Sequence, residues 1–344
     1  MHMADALLSP AVGGVMWVAA AGTIAYSARK LSKGESKDLN SPKSVSFDKK
    51  IPLMGVLGAF VFAAQMINFT IPGTGSSGHI GGGILLASLL GPEAGFLTIA
   101  SVLLIQCLFF ADGGLLALGC NMVNMGLFAC FIGFPLIYRK ILKNGFTPTK
   151  IMIASIISVV VSLQLGAFGV VFETMLSGVT ELPFTTFVVL MQPIHLAIGA
   201  VEGVLTGCVL IFIYNAKPEL LVGYDGSNVK ENVSVKKVAL VLVVVTALIG
   251  GGLSLVASSN PDGLEWSIEK VTGSTELDRS NSVSDALGSV QESTAFLPDY
   301  AFKSDSENTA GTTVSGLIGS GITLGLVALI GFGASKVKNS KKHA

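Results

Sequence analysis

Residues 151–172, IMIASIISVVVSLQLGAFGVVF, contain no charged side chain. A helix of about 20 such residues is long enough to cross the hydrocarbon core of a membrane, whereas a helix of a soluble protein is rarely apolar on every side. Eight other stretches have the same apolar character, and they lie at roughly 10–28, 51–69, 80–91, 94–110, 114–137, 190–214, 237–257 and 313–334. The pattern predicts an all-α, polytopic membrane protein, a helical bundle with about nine transmembrane helices.

The composition of the whole chain agrees with this prediction. Hydrophobic residues make up 51% and charged residues 13% of the 344 residues, compared with about 25% charged residues in a typical soluble domain. The formal net charge is zero, so no basic field indicates a nucleic-acid partner. We expect the lipid bilayer to surround the chain, and we expect no nucleic acid to bind it.

Lysine and arginine mark the cytoplasmic loops of a membrane protein, and here they fall in alternate loops. With nine spans and the N-terminus outside, nineteen of the 22 Lys and Arg residues lie in four inner segments, 29–50, 138–150, 215–237 and 335–344. Joining the third and fourth spans would move the basic cluster at 139–143 to the outer side. The sequence therefore predicts a multi-pass protein of the cell membrane, with its N-terminus outside and its C-terminus in the cytoplasm.

The spans fall into two blocks. Residues 1–214 form a seven-span unit with short loops, and residues 237–344 form a two-span unit with an outer segment at 258–312. We predict that residues 215–236 form a cytoplasmic linker between the two units. The outer segment is rich in Ser, Asp and Glu and has little apolar periodicity, so we expect it to be poorly ordered or to contact a partner.

His2 is the most informative of the four histidines. A histidine at the second position brings three nitrogens within chelating reach: the amine of Met1, the main-chain amide of His2 and its imidazole. One further nitrogen completes a square-planar site, which suits Ni(II) or Cu(II). A histidine placed by chance at a frayed terminus is the alternative.

His79 is the candidate for the fourth nitrogen. It lies in the glycine-rich stretch PGTGSSGHIGGG, residues 72–83, which the predicted topology places on the same outer side as His2. Glycine allows backbone conformations that other residues avoid, and it lets a second chain segment approach closely. The alternative is a polar surface histidine in a loop.

A second polar pair lies within the seventh predicted span. His195 and Glu202 are two helical turns apart and share one face, and ionisable groups inside a span are costly and often functional. A metal relay, a partner contact and a structural hydrogen bond are all compatible with the pair, and we favour a structural or coupling role.

Three polar residues follow the fourth span. Asp112, Asn121 and Asn124 lie on or just after an outer turn, where they can support the ligand histidines through hydrogen bonds. A simple turn with polar capping groups explains them equally well.

Several motifs of enzymes are missing from the sequence. It has no G-x-x-x-x-G-K-[ST] phosphate loop and no H-E-x-x-H metalloprotease motif. We expect the chain not to be an enzyme and to carry no prosthetic group.

Four segments occur in order that resemble one known family: MHMADALLSP from Met1, GTGSSGHIGGG from Gly73, QCLFFADGGLLALGCNMVNMG from Gln106 and PIHLAIGAVEG from Pro193. They resemble the CbiM/NikM family, the substrate-binding S components of energy-coupling-factor (ECF) ABC transporters for cobalt and nickel. The segment NPDGLEWSIEKV, from Asn260, resembles the PDGLE domain of the small N subunit. Together the two blocks resemble the fused, NikMN-type members of this family.

The resemblance implies a metal site, a cargo and partners. It implies that Met1, His2 and His79 hold the metal ion, with Ni(II) as the cargo and Co(II), for cobalamin synthesis, as the alternative. It also implies a transmembrane T subunit (NikQ/CbiQ-like) and separate ATPase subunits (NikO/CbiO-like). The family begins M-H-I-P-[DE]-G, whereas this chain begins M-H-M-A-D-A, so the turn after His2 departs from the family pattern. A channel or receptor for a small organic ligand is the hypothesis from another class.

Overall fold

The computed structural model describes residues 2–33, 47–224, 226, 233–278, 281–304 and 309–340. Its helices are α1 Pro10–Lys33, α2 Phe47–Gln65, α3 Gly83–Leu90, α4 Pro92–Phe110, α5 Leu118–Leu142, α6 Pro148–Ser177, α7 Phe184–Ala216, α8 Val235–Gly251, α9 Gly263–Thr272, α10 Ser282–Thr294 and α11 Ala310–Ser340. Strands β1 Phe69–Ile71 and β2 Ser76–Gly78 form a short antiparallel hairpin. Within the described residues, α1 to α8 and α11 correspond to the nine predicted spans, which confirms the helical membrane fold.

Two contacts bring the lysine-rich helix ends to one end of the bundle. Lys30, near the end of α1, pairs with Glu93 at the start of α4, with 2.9 Å between Nζ and Oε1. Lys50, near the start of α2, donates to the carbonyl of Leu89 at the end of α3 (2.8 Å). We call this the lysine-rich end. His2 and the loop that follows α4 lie together, at the end of α4 away from Glu93, which we call the site end.

Helix α3 is much shorter than a membrane span. Its eight residues rise about 12 Å, against a hydrocarbon core of about 30 Å. All eight are buried, and the chain enters the bundle through the glycine-rich stretch before it. Gly82, with φ of +79°, stands directly before α3. The third predicted span is therefore a buried half-helix preceded by a loop, because its glycines do not sustain a helix.

The outer segment 258–312 contains two helices, so the expectation of little order is wrong for α9 and α10. Asp262 accepts hydrogen bonds from the main-chain nitrogens of Leu264 and Glu265, and the Glu265 side chain accepts from the nitrogen of Asp262. This reciprocal capping box starts α9. Leu264 and Ile268 are then buried as α9 packs on α7. The burial involves only a few apolar residues, which explains the weak periodicity.

The second block packs directly on the first. Helix α11 lies against α2 and α4, and α8 lies against α2. Helices α8 and α11 cross at Gly250 and Gly316, where a side chain on either residue would meet the backbone of the other. Small residues permit such close helix contacts in membranes. In the described part of the chain, eight long helices and the half-helix α3 therefore form one bundle with α4, which is buried along nearly its whole length, near the centre.

Candidate metal centre

The N-terminal segment is threaded into the site end of the bundle. Met3 and Leu8 are fully buried. Asn121 holds the segment from one side, because its Oδ1 accepts from the nitrogen of Met3 (2.8 Å) and its Nδ2 donates to the Met3 carbonyl (3.2 Å). Asn121 thus fixes the main chain next to His2.

The loop between α4 and α5 holds the same segment from the other side. The nitrogen of Gly114 donates to the Met3 carbonyl (3.0 Å). The carboxylate of Asp5 accepts from the nitrogen of Ala117 (3.0 Å), and its side chain is buried. These main-chain contacts fix the depth at which the N-terminus enters the protein.

This placement brings His2 next to His79. Their imidazole rings are nearly parallel, with 9° between the planes and 5.1 Å between the ring centroids. His79 lies in the loop between β2 and α3 and is 9% exposed. The prediction that these two histidines lie together, from segments 77 residues apart in the chain, agrees with the geometry.

Asp112 sets the orientation of the His2 ring. The Nδ1 of His2 lies 3.0 Å from Asp112 Oδ1, and the other carboxylate oxygen accepts a hydrogen bond from the hydroxyl of Tyr300 (2.5 Å). A carboxylate partner places the imidazole proton on Nδ1 and leaves a lone pair on Nε2. That Nε2 is buried and has no hydrogen-bond partner among the described residues.

The electrostatics of the site favour a neutral His79 and an ionised Asp112. Burial, with a smaller contribution from neighbouring groups such as His2, lowers the pKa of the His79 imidazole to about 3. Burial raises the pKa of Asp112, but the charge and hydrogen bond of His2 and the hydrogen bond of Tyr300 outweigh it and hold this pKa below its ordinary value. At neutral pH His79 is therefore available as a nitrogen donor without losing a proton.

The described side chains do not complete a metal site by themselves. Residue Met1, predicted to supply the amine, lies outside the described residues. In the described part of the chain, no group of three or more His, Cys, Asp and Glu side chains is arranged to hold a metal ion. A site centred on His2 and His79 therefore needs main-chain nitrogens as further donors, as the sequence hypothesis requires.

His195 and Glu202 lie behind the His79 loop and not at the His2 ring. Glu202 accepts from the nitrogen of Gly82 (3.0 Å), and His195 contacts the carbonyl of Met191 through Nδ1 (2.8 Å). Both line a buried cavity of about 30 Å³ together with His79 and Asn124. Such a volume holds two or three water molecules, since each needs about 10–15 Å³ on this measure.

Asn124 does not contact the histidine pair. Its Nδ2 donates to Glu173 on α6 (2.8 Å), so its contact with the site is limited to the small cavity that it shares with His79. Of the three polar residues after the fourth span, Asp112 therefore contacts the His2 ring, Asn121 contacts the main chain of Met3, and Asn124 contacts Glu173.

Sequence reasoning missed the residues of the outer segment that cover the site. Ser77, on β2, donates its nitrogen to the carbonyl of Pro261 and its hydroxyl to that of Asn260, both at 2.8 Å. The indole of Trp266 donates to the carbonyl of Thr74 (3.0 Å). The capping pattern Asp262-x-x-Glu265 was visible in the sequence and predicts a helix start, but nothing in it indicates where that helix docks.

The helical bundle, with six helices in the described residues long and apolar enough to cross a membrane, defines a polytopic membrane protein. Residues 2–220 match the family model CbiM, described as the cobalt uptake substrate-specific transmembrane region. The chain belongs to this family. Residues 236–336 match the PDGLE domain.

Relatives and solved structures support this assignment. A protein of Archaeoglobus fulgidus, provisionally named as the fused nickel transport protein NikMN, is 30% identical over 95% of this chain and 96% of its own length. The cobalt transport protein CbiM of Geobacter sulfurreducens is 26% identical over 64% of this chain and 61% of its own. The crystal structure of a truncated transition metal transporter superposes with a TM-score of 0.52 at 31% identity, covering 62% of this chain and 99% of the other.

Proposed function

We propose that the chain is the substrate-binding membrane subunit of an ECF-type ABC transporter that imports Ni(II). The ion is held by the amine of Met1, the amide and imidazole nitrogens of His2, and the imidazole of His79. The observation that carries the proposal is the buried, parallel pair of His2 and His79, with 5.1 Å between ring centroids.

The arrangement favours nickel over cobalt as cargo. Affinity for nitrogen sites rises from Co(II) to Ni(II), and four nitrogens in a plane suit Ni(II). The fused PDGLE block supports the same choice, because two relatives are named as fused nickel transport proteins and one of them matches over 95% of this chain. Co(II) import is the alternative, since other relatives are named as cobalt transport proteins.

Loading the site changes the protonation of its ligands. A chelate ring that includes the amide nitrogen of His2 closes through Nδ1, so loading breaks the hydrogen bond between Nδ1 and Asp112, shifts the Nδ1 proton to Nε2 and releases the amide proton to solvent. Capture is therefore coupled to proton release and weakens in acid. Energy for transport comes from separate ATPase subunits through a transmembrane T subunit.

The outer segment acts on the site as a loading or gating element. Ser77, next to His79, donates a hydrogen bond to the outer segment, and Trp266, in the outer segment, donates one to the stretch before His79. Tyr300, also in the outer segment, donates a hydrogen bond to Asp112. Deleting residues 262–300 should abolish uptake while the bundle still inserts into the membrane. Unchanged uptake by this deletion would show that the segment has no such role.

The experiment that tests the proposal is calorimetric titration of the purified full chain with Ni(II) and Co(II). His2→Ala, His79→Gln and a short extension before Met1 should each remove nearly all binding, because each removes or blocks a ligand. His343→Ala, in the C-terminal basic stretch, is the matched control and should bind as the unaltered chain does. Full binding by the extended chain and by His2→Ala would refute the proposal and favour a different ligand class.

A further inference from the structure

A second, larger cavity opens at the site end of the bundle, next to His2. Its volume is about 330 Å³. Its walls come from the N-terminal segment, the loop after α4 and the outer segment of the second block. Gln291 and Leu264, on α10 and α9, line it together with His2 and Gly114. The cavity is therefore built jointly by both blocks.

The lining of this cavity is strongly acidic. Six carboxylates line it: Asp5, Asp112, Asp262, Glu265, Glu276 and Asp299. No described residue in the lining is a lysine or an arginine. The last four of the six come from the second block, so that block supplies most of the negative charge.

Two of these carboxylates, Asp299 and Glu265, are costly to ionise. Burial raises the pKa of Asp299, and the charges of Asp112 and Glu276 raise it further. Burial likewise raises the pKa of Glu265, as does the charge of Asp262. A cation that enters the cavity relieves this repulsion, so the chemistry of the lining selects positive charge.

A buried nitrogen donor lies at the wall of the same cavity. The side chain of His2 is 8% exposed, and its Nε2 has no hydrogen-bond partner among the described residues. Carboxylates alone would indicate only a polar surface. His2, which lines the cavity, adds an imidazole to these carboxylates, and imidazole is a donor that transition-metal ions prefer.

The size of the cavity distinguishes it from the small one behind His79. On the measure used for both cavities, six water molecules need about 60–90 Å³. A hexahydrated divalent ion therefore fits a cavity of about 330 Å³ and does not fit one of about 30 Å³. The larger cavity therefore has room for an ion that reaches His2 with its water still bound.

We infer that this cavity is an entry vestibule, a site that captures a hydrated divalent transition-metal cation before the ion loses water to His2 and His79. The carboxylates of the second block, Glu265 and Glu276 among them, concentrate the ion and speed its arrival. The inference rests on the proposed function, and it assigns to the second block a part in the rate of loading. When charges of one sign line a cleft, they attract a ligand of opposite charge and raise its association rate by about 10- to 1,000-fold.

The test uses Glu265→Gln/Glu276→Gln in the full chain, with Ni(II) alone as the probe. Glutamine keeps the capping interaction at Asp262 and removes two charges. Association is followed by stopped-flow quenching of the two tryptophans. We expect the association rate constant to fall on the order of tenfold at low ionic strength, the dissociation rate constant to stay the same, and the difference to shrink at high salt.

The control variant is Glu181→Gln/Asp285→Asn, which removes two exposed carboxylates that do not line the cavity. It should change the association rate much less. An association rate equal to that of the unaltered chain at low salt, or a loss that persists undiminished at high salt, would overturn the inference. His2→Ala separates the two proposals: if it binds Ni(II) normally the proposed function fails, and if it does not bind while the vestibule variant loads at the normal rate only the vestibule fails.

Discussion

Gly114 lies directly against Asp5, so that a Cβ built on Gly114 would overlap the Asp5 carboxylate and approach its main-chain nitrogen. The lack of a side chain at residue 114 is what lets the N-terminal segment lie along the loop after α4. The position of His2 therefore depends on a glycine more than a hundred residues away in the chain.

Gly114→Ala should displace the N-terminal segment and weaken Ni(II) binding by more than about tenfold, within the range caused by loss of groups that orient metal ligands. Calorimetric titration measures this loss. Gly14→Ala is the control, since a Cβ on Gly14 meets no atom within 4 Å. Equal affinity of the two variants would show that the N-terminal segment is not held by this contact.

Asp299→Asn should stabilise the protein at neutral pH. The folded state raises the pKa of Asp299 through burial and through the charges of Asp112 and Glu276, so the folded state binds this proton more tightly than the unfolded state. The stabilisation of the folded state by that proton is fully present at pH values below the pKa in the unfolded state, about 3.8. It is lost as the pH rises through the pKa in the folded state.

The stabilisation by Asp299→Asn should therefore be larger at pH 7 than at pH 3.5. Thermal unfolding of the detergent-solubilised chain at the two pH values measures the difference. Asn also tolerates the φ of +50° at this residue, which adds a contribution equal at both pH values. Asp278→Asn, exposed in the same segment, is the comparison, and a pH-independent gain for Asp299→Asn would contradict the electrostatic explanation.

Asp262→Ala should loosen α9, because it removes the acceptor for the nitrogens of Leu264 and Glu265. Loss of such a cap costs about 0.5–2 kcal/mol. The indole of Trp266 would then lose its contact with Thr74, and its fluorescence should shift to the red. Asp262→Asn retains the capping oxygen and should leave the spectrum unchanged; a shift of equal size in both variants would show that charge, not capping, holds α9.

Gly316→Val should separate α8 from α11. A side chain on Gly316 would overlap the carbonyl of Gly250, and overpacking of this kind costs about 1–3 kcal/mol. The thermal midpoint in detergent should fall. Gly321→Val, on the same helix, is the matched control because a Cβ there has open space around it. If both valine variants unfold at the same temperature, the close crossing contributes nothing specific.

The membrane helices were predictable because length and apolar composition determine whether a helix spans a bilayer. The placement of His2 and His79 at the same end of the bundle was also predictable, since the positions of the basic loops put both residues on one side of the membrane. The half-helix α3 was not, because its apolar residues resemble a span while the glycines before it break the helix.

The contacts of the outer segment could not be predicted for a different reason. Tyr300 reaches Asp112 across 188 residues of sequence, and its backbone adopts a φ of +58° to do so. A non-glycine residue in the left-handed region is held there by tertiary structure, and no local pattern encodes it. Asp5 was likewise missed, since a carboxylate bound to a main-chain nitrogen resembles any other surface acid until the chain is folded.

The docking of α9 on the histidine loop has a consequence for how the two blocks meet. Two separate polypeptides would find each other by mass action, and the fraction assembled would vary with the amount of each made. Here Ala216, at the end of α7, and Val235, at the start of α8, belong to one chain. Tethering of this kind gives an effective concentration in the millimolar range for short linkers. The two blocks are therefore always present in a one-to-one ratio, and each histidine loop has an outer segment to bind it.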